Sequence, residues 1–121
     1  MIKKTYDLED RLIDFVLKID QLVELLLNTR LANHLAGQII RSGSSPALNY
    51  GEVQSAESQK DFIHKIQIVL KELRETRVCL KIIIKKPMIE AQIALPVLAE
   101  NEELIAIFAK SSQTAKSKLP K

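Results

Sequence analysis

Two carboxylates, Glu72 and Glu75, are three residues apart on one predicted helix, so their side chains share a face. Asn49 and Glu52 have the same spacing on the preceding predicted helix. In an antiparallel pair of helices these two faces can meet, and Arg41 can then bind a carboxylate through two parallel hydrogen bonds. Paired carboxylates indicate either acid–base or metal chemistry, or a structural polar network.

The surrounding sequence favours the structural interpretation. A metal-binding helix bundle usually presents Glu-x-x-His pairs, and this chain contains none. We therefore predict no metal and no cofactor, and a polar network buried between two helices. The residues of this predicted network are Arg41, Asn49, Glu52, Glu72 and Glu75.

Other reactive side chains lack the neighbours that catalysis requires. His34 and His64 are far apart in the chain, and neither is followed by a second metal ligand one helical turn later. Cys79 has no neighbouring His or Asp to mark it as a nucleophile. Ser44 and Ser45 lie outside any G-x-S-x-G pattern. The sequence therefore predicts a protein that is not an enzyme.

Positive charge is concentrated between Lys60 and Lys86, where eight Lys and Arg residues face three acidic residues, a local balance of +5. At helical spacing most of these cations lie close to one stripe, and further lysines follow at the C-terminus. Such asymmetry attracts phosphate backbones because each neutralised phosphate releases counterions. The residues predicted to bind nucleic acid are Lys60, Lys71, Arg74, Lys81, Lys85, Lys116 and Lys118.

Two observations limit this interpretation. A Lys-rich stripe on a helix can also be a simple solvated face. The stripe contains no aromatic side chain on which a base could stack, which argues against sequence-specific readout of single strands.

The elements that position these residues are predicted to be four helices. Apolar residues from Leu8 to Leu26 recur at steps of four and three, which predicts a first helix from about residue 8 to 28. Its apolar face is wide, which suggests that it contacts more than one neighbour and that the protein forms oligomers. A second helix, capped by Asn28 or Thr29, is predicted from about 29 to 56, with a kink near Gly43 to Pro46.

Ser58 and Asp61 resemble a capping box at the start of a third helix, which Pro87 ends near residue 85. A fourth helix is predicted from about 92 to 115, with a basic, flexible tail from about residue 116. Four amphipathic helices with short connections predict one all-α domain over residues 1–121, an antiparallel up-and-down bundle.

Composition agrees with a single core of this kind. The chain has 121 residues, of which 46% are hydrophobic and only 4% aromatic, so aliphatic side chains must do the packing. Cys79 is the one cysteine, and no apolar run approaches the roughly 20 residues that a bilayer requires. We expect a cytoplasmic protein without a signal peptide or a membrane partner.

The stretch RSGSSPALNYGEVQSAESQKDFIHKIQIVLKELRETRVCLKII resembles the core motif of the 23S rRNA intervening-sequence protein family, also called four helix bundle proteins. The matching positions are Arg41, Ser42 and Ser45, Asn49 and Glu52, Ser58, Asp61 and Phe62, and Lys71, Glu72 and Glu75. The segment from Ser45 to Leu48 departs from the pattern, since many members have an Ile and small residues there.

The resemblance implies an antiparallel four-helix bundle that assembles as a ring, commonly a homopentamer, and is encoded in some bacteria inside ribosomal RNA gene insertions. A related fold occurs in the accessory protein of diversity-generating retroelements, where a basic ring surface is associated with nucleic acid. Family membership implies no enzymatic activity, and the function of the family is unknown. We therefore expect a homo-oligomer that binds RNA or DNA; the alternative is a scaffold that binds an acidic partner protein.

Overall fold

The computed structural model describes residues 7 to 120, and none of them forms a strand. The elements are α1 (Leu8–Glu24), α2 (Arg30–Gln54), α3 (Gln59–Lys85) and α4 (Ala91–Ser117). Each helix packs against the next one in the chain, and α1 also packs against α4, whereas the backbones of the pairs α1–α3 and α2–α4 lie farther apart. This pattern defines a closed up-and-down bundle, so the predicted fold class is confirmed.

Local capping explains where α2 and α3 begin. The side chain of Thr29 accepts a hydrogen bond from the Ala32 N–H, and Ser58 does the same for the Asp61 N–H. The Asp61 carboxylate accepts in return from the Glu57 N–H, one residue before the cap. The predicted capping box at Ser58 is therefore present with its return bond displaced by one position.

The end of α1 differs from the prediction, because the helix stops at Glu24 and not near residue 28. The N–H groups of Leu25 and Leu26 donate to the carbonyls of Leu22 and Val23, at 3.0 and 3.2 Å, which tightens the last turn. The Leu27 N–H then donates to the Met88 carbonyl at 3.2 Å and so ties this segment to the α3–α4 connection. Periodicity cannot reveal such a tertiary bond.

Helix α2 continues through Pro46 without interruption, as predicted for a single long helix. Gly43 is buried against α1, and an added Cβ there would lie 3.1 Å from Cγ1 of Ile19. The glycine therefore allows α1 and α2 to approach closely one turn before the proline. The kink of α2 stays a prediction.

The core is aliphatic around Phe15 and Phe108, but it also contains buried polar groups. The Thr76 hydroxyl lies 2.8 Å from Oγ of Ser42 and 2.9 Å from the Glu72 carbonyl oxygen. The Asn101 amide donates to the Leu73 carbonyl at 3.1 Å. These contacts join α2, α3 and α4 at one level of the bundle.

Candidate nucleic-acid interface

The edge where α2 meets α3 carries the carboxylates singled out in the sequence. Arg41 donates from Nη1 to Glu72 at 2.9 Å and from Nη2 to Glu75. One guanidinium thus binds two carboxylates a helical turn apart on the facing helix, where the sequence suggested two parallel hydrogen bonds to one carboxylate.

Asn49 and Glu52, the other two members of the predicted network, have separate partners. The Asn49 amide donates to Oγ of Ser45 at 2.9 Å, within α2. Glu52 lies 3.7 Å from Nζ of Lys65, which makes a closer ion pair with Asp61 at 3.0 Å. This hydrogen-bonded pair lowers the pKa of Asp61 and raises that of Lys65. The structure therefore shows two small ion clusters and a separate Asn49–Ser45 hydrogen bond along the α2–α3 edge in place of one network.

The expectation that this set is buried is wrong. The side chain of Arg41 is 52% exposed and that of Glu75 is 42% exposed, while Glu72 is 14% exposed. The long Arg41 side chain crosses the surface of the helix pair, where water screens its charge. The cluster thus joins two helices at the surface and leaves no charge isolated in the core.

A better shielded ion cluster lies between α1 and α4, and sequence reasoning missed it. Arg11 donates from Nε and Nη2 to the two Glu100 oxygens, at 2.7 and 2.8 Å, and from Nη2 to Glu103 at 2.6 Å. The hydrogen bonds with Arg11 lower the pKa of Glu100. The hydrogen bond with Glu100 in turn raises the pKa of Arg11. These residues are nearly ninety positions apart in the chain, so no local pattern connects them.

The remaining reactive side chains are not brought together. Within residues 7 to 120, no group of three or more His, Cys, Asp or Glu side chains could hold a metal ion. Cys79 is buried, and burial raises the pKa of its thiol, which disfavours the reactive thiolate. His34 and His64 are both exposed on different helices. The absence of enzymatic activity stays a prediction.

The predicted nucleic-acid-binding residues share two properties in the structure. All of them are exposed, and none forms an ion pair with another described residue. On α3 they line the side that faces away from the core. They are Lys60, Lys71, Arg74, Lys81 and Lys85 on α3, with Lys116 and Lys118 at the end of α4.

We call these seven residues the basic surface. Lys116 lies in the last turn of α4 and Lys118 is its C-cap, so both are near the start of the antiparallel α3. Since α4 extends to Ser117, Lys116 is held in a helical turn. The flexibility of the tail that follows stays a prediction. Exposed apolar side chains adjoin the basic surface on α3, with Val78 55% and Ile82 38% exposed.

No helix among the described residues is long and apolar enough to cross a bilayer.

Comparison with known proteins shows similarity to a protein family and to a solved structure. Residues 4–110 match the model of a family described as 23S rRNA-intervening sequence protein. The chain is also similar to a crystal structure from Bacteroides thetaiotaomicron, described as a protein with unknown function from the S23 ribosomal protein family. The two share 29% identity and superpose with a TM-score of 0.78, over 86% of this chain and 96% of that one. No curated protein matches the chain.

Proposed function

The chain belongs to the 23S rRNA-intervening sequence protein family, and we propose that it is a non-enzymatic, oligomeric bundle that binds RNA through its basic surface. The family name refers to the place where the genes of such proteins are found and does not say what the proteins bind. The proposal therefore depends on the chemistry of this chain's own surface.

One observation carries the proposal: the cations of the basic surface are exposed and without acidic partners in the described structure. On the same helix, Lys65 and Arg77 are both paired, with Asp61 and Glu102 respectively. On α3, Lys65 and Arg77 therefore form ion pairs, whereas the cations of the basic surface form none with a described residue. An outward row of unpaired cations is suited to phosphate groups.

The length of the row fits a polynucleotide. Lys60 and Lys85 lie at opposite ends of α3, about 38 Å apart at the helical rise. This distance spans several successive phosphates of an extended strand. Phosphate contacts fix the position of a nucleic acid but do not read its sequence, so we expect binding with little sequence preference.

Assembly strengthens such weak contacts. The outer side of α1 exposes Ile13 and Leu17, at 44% and 54%, beyond the face that α1 uses inside the bundle. These side chains support the proposal of a ring-shaped homo-oligomer, with a pentamer favoured by the family resemblance. A ring repeats the basic surface and raises the effective concentration of neighbouring sites. The same cations can bind the phosphates of DNA.

A second candidate function is a scaffold that binds an acidic partner protein. Val78 and Ile82 favour it, because apolar side chains beside cations form contacts with proteins more readily than with phosphates. This function uses the same surface with a different ligand.

The deciding experiment is fluorescence anisotropy with labelled RNAs of equal length and unrelated sequence, at about 50 and 200 mM salt. We expect similar affinities for all sequences and a loss of about 300-fold at the higher salt if some six phosphates of a single strand are contacted. Light scattering during size exclusion tests the assembly in the same samples. An intact oligomer that binds no RNA at low salt would remove the RNA proposal in favour of the scaffold. A monomer mass at micromolar concentration would contradict the ring.

A further inference from the structure

We propose that the cleft between the start of α3 and the end of α4 binds one unpaired nucleotide of the RNA, that is, a nucleoside monophosphate unit with its base inserted. This inference rests on the proposed RNA binding. It adds a specific site at one end of the basic surface.

The cleft has the size and the apolar lining that a base requires. Its volume is about 510 Å³, within the range of roughly 300–1,000 Å³ typical of small-ligand sites. Phe62 and Ala115 line it from α3 and α4, with Ile107 about two turns before Ala115 on α4. Phe62 and Ile107 are only partly buried, so apolar surface remains open to a ligand. An aromatic ring in such a position stacks on a base of any identity.

The polar lining of the cleft suits a phosphate and a sugar. Lys110 and Lys118 line it together with the hydroxyls of Ser111 and Thr114, and no carboxylate among residues 7 to 120 lines it. Neither lysine forms an ion pair with another residue in the described part of the chain. The cleft therefore combines free cations and hydroxyl groups with an apolar wall, which is the chemistry of a nucleotide site.

The start of α3 also contributes to the electrostatics of the cleft. Gln59, the first residue of α3, lines it, so the positive end of that helix lies nearby. The nearest acid of the same turn, Asp61, is engaged with Lys65 and with the Glu57 N–H. Lys116 and Lys118 offset the negative end of α4. The net field at the cleft thus favours an anion.

The cleft adjoins the basic surface. Lys60 follows Gln59 directly, and Lys118 belongs to both the basic surface and the cleft lining. A strand that follows the basic surface toward the start of α3 therefore reaches the cleft. There it meets Phe62, the aromatic side chain that the stripe itself lacks.

The test uses full-length protein with adenosine monophosphate, uridine monophosphate or inorganic phosphate, measured by calorimetry. We expect both nucleotides to bind, and phosphate alone to bind at least about tenfold more weakly, which is the scale of one stacking contact. Thr114→Trp should fill the cleft, and Lys110→Gln should remove a phosphate partner; each should weaken nucleotide binding by about tenfold or more.

Gln113→Trp is the matched control, because residue 113 is equally exposed on α4 but does not line the cleft. It should bind nucleotides as the wild type does, and all three variants should melt like the wild type. If phosphate binds as well as the nucleotides, or if Gln113→Trp has the effect of Thr114→Trp, the nucleotide site is wrong.

The experiments distinguish a failure of the proposed RNA binding from a failure of the proposed nucleotide site. RNA binding by the wild type without any nucleotide binding would overturn the cleft proposal and leave the proposed function standing. Nucleotide binding without RNA binding would overturn the proposed function, and the cleft would then be a site for free nucleotides.

Discussion

The two sides of α3 both carry charged side chains, but those toward α2 form ion pairs and those on the outer side form none with a described residue. On the side toward α2, Glu72 and Glu75 bind Arg41, and Lys65 binds Asp61. On the outer side, Lys71 and Arg74 have no acidic partner in the described structure. A charged residue on this helix is therefore neutralised where another helix packs and unpaired where none does. Only the second kind is available to a ligand.

The energetic difference between the two sides is small, because both are exposed to water. Ion pairs at a protein surface contribute about 0–1 kcal/mol to stability. The paired side therefore adds little stability, and the unpaired side costs little. The two sides therefore differ mainly in what they can bind.

Reversing the charge of Lys71 and Arg74 together should weaken RNA binding by about 100-fold or more, because two attractions become repulsions at every copy of the ring. The melting temperature should stay that of the wild type. Anisotropy and thermal denaturation measure the two effects. Lys18→Glu with Arg30→Glu is the control, since it makes the same change of net charge on exposed residues of α1 and α2. Equal losses in both variants would mean that net charge alone matters and that the outer side of α3 is not the binding surface.

Arg11→Ala should lower the free energy of unfolding by about 2 kcal/mol, because Glu100, with 14% of its side chain exposed, loses charged hydrogen bonds from two guanidinium nitrogens. Urea denaturation measures this loss. Arg77→Ala provides the comparison, since its contact with Glu102 is longer, at 3.4 Å, and more exposed. If both variants lose the same free energy of unfolding, the lower solvent exposure of the Arg11–Glu100 pair does not make it more stabilising than the Arg77–Glu102 pair.

The same pair predicts a pH dependence. Because Arg11 lowers the folded-state pKa of Glu100, the pair's contribution is fully present above the unfolded pKa of about 4.3. It is lost as the pH falls through the lower folded pKa. The stability of Arg11→Ala should therefore decline less between about pH 5 and 3 than that of the wild type. Parallel curves for the two proteins would contradict the assignment to Glu100.

Glu72→Ala should have the smallest effect, a loss of about 1 kcal/mol or less, because Arg41 is half exposed and keeps Glu75 as a partner. A fully buried pair would lose about 3–5 kcal/mol instead. Denaturation measures the loss, and metal analysis should show the same content in both proteins. A loss above 3 kcal/mol would show that the cluster is shielded in the assembled protein, and bound metal that disappears in the variant would restore the metal interpretation.

The sequence alone determined the helices and most of their ends. Thr29 and Ser58 cap α2 and α3 as predicted, and α3 ends shortly before Pro87. These signals are local, because a cap needs only a side chain and a backbone N–H within one turn, and apolar periodicity needs only one helix. The all-α bundle follows from four such helices with short connections. The exposure of the basic surface was also predictable, since it lies opposite the apolar face of the same helix.

Only the tertiary structure decided which charged and polar groups of α4 meet those of α1 and α3. Arg11 and Glu100, like Asn101 and Leu73, come from helices distant in the chain, and their pairing depends on rotation and register between those helices. The same applies to the exposure of Arg41, which spacing could not predict, and to the cleft between α3 and α4. Helical periodicity fixes which face of a helix is apolar, but the partner of each polar side chain depends on how neighbouring faces align.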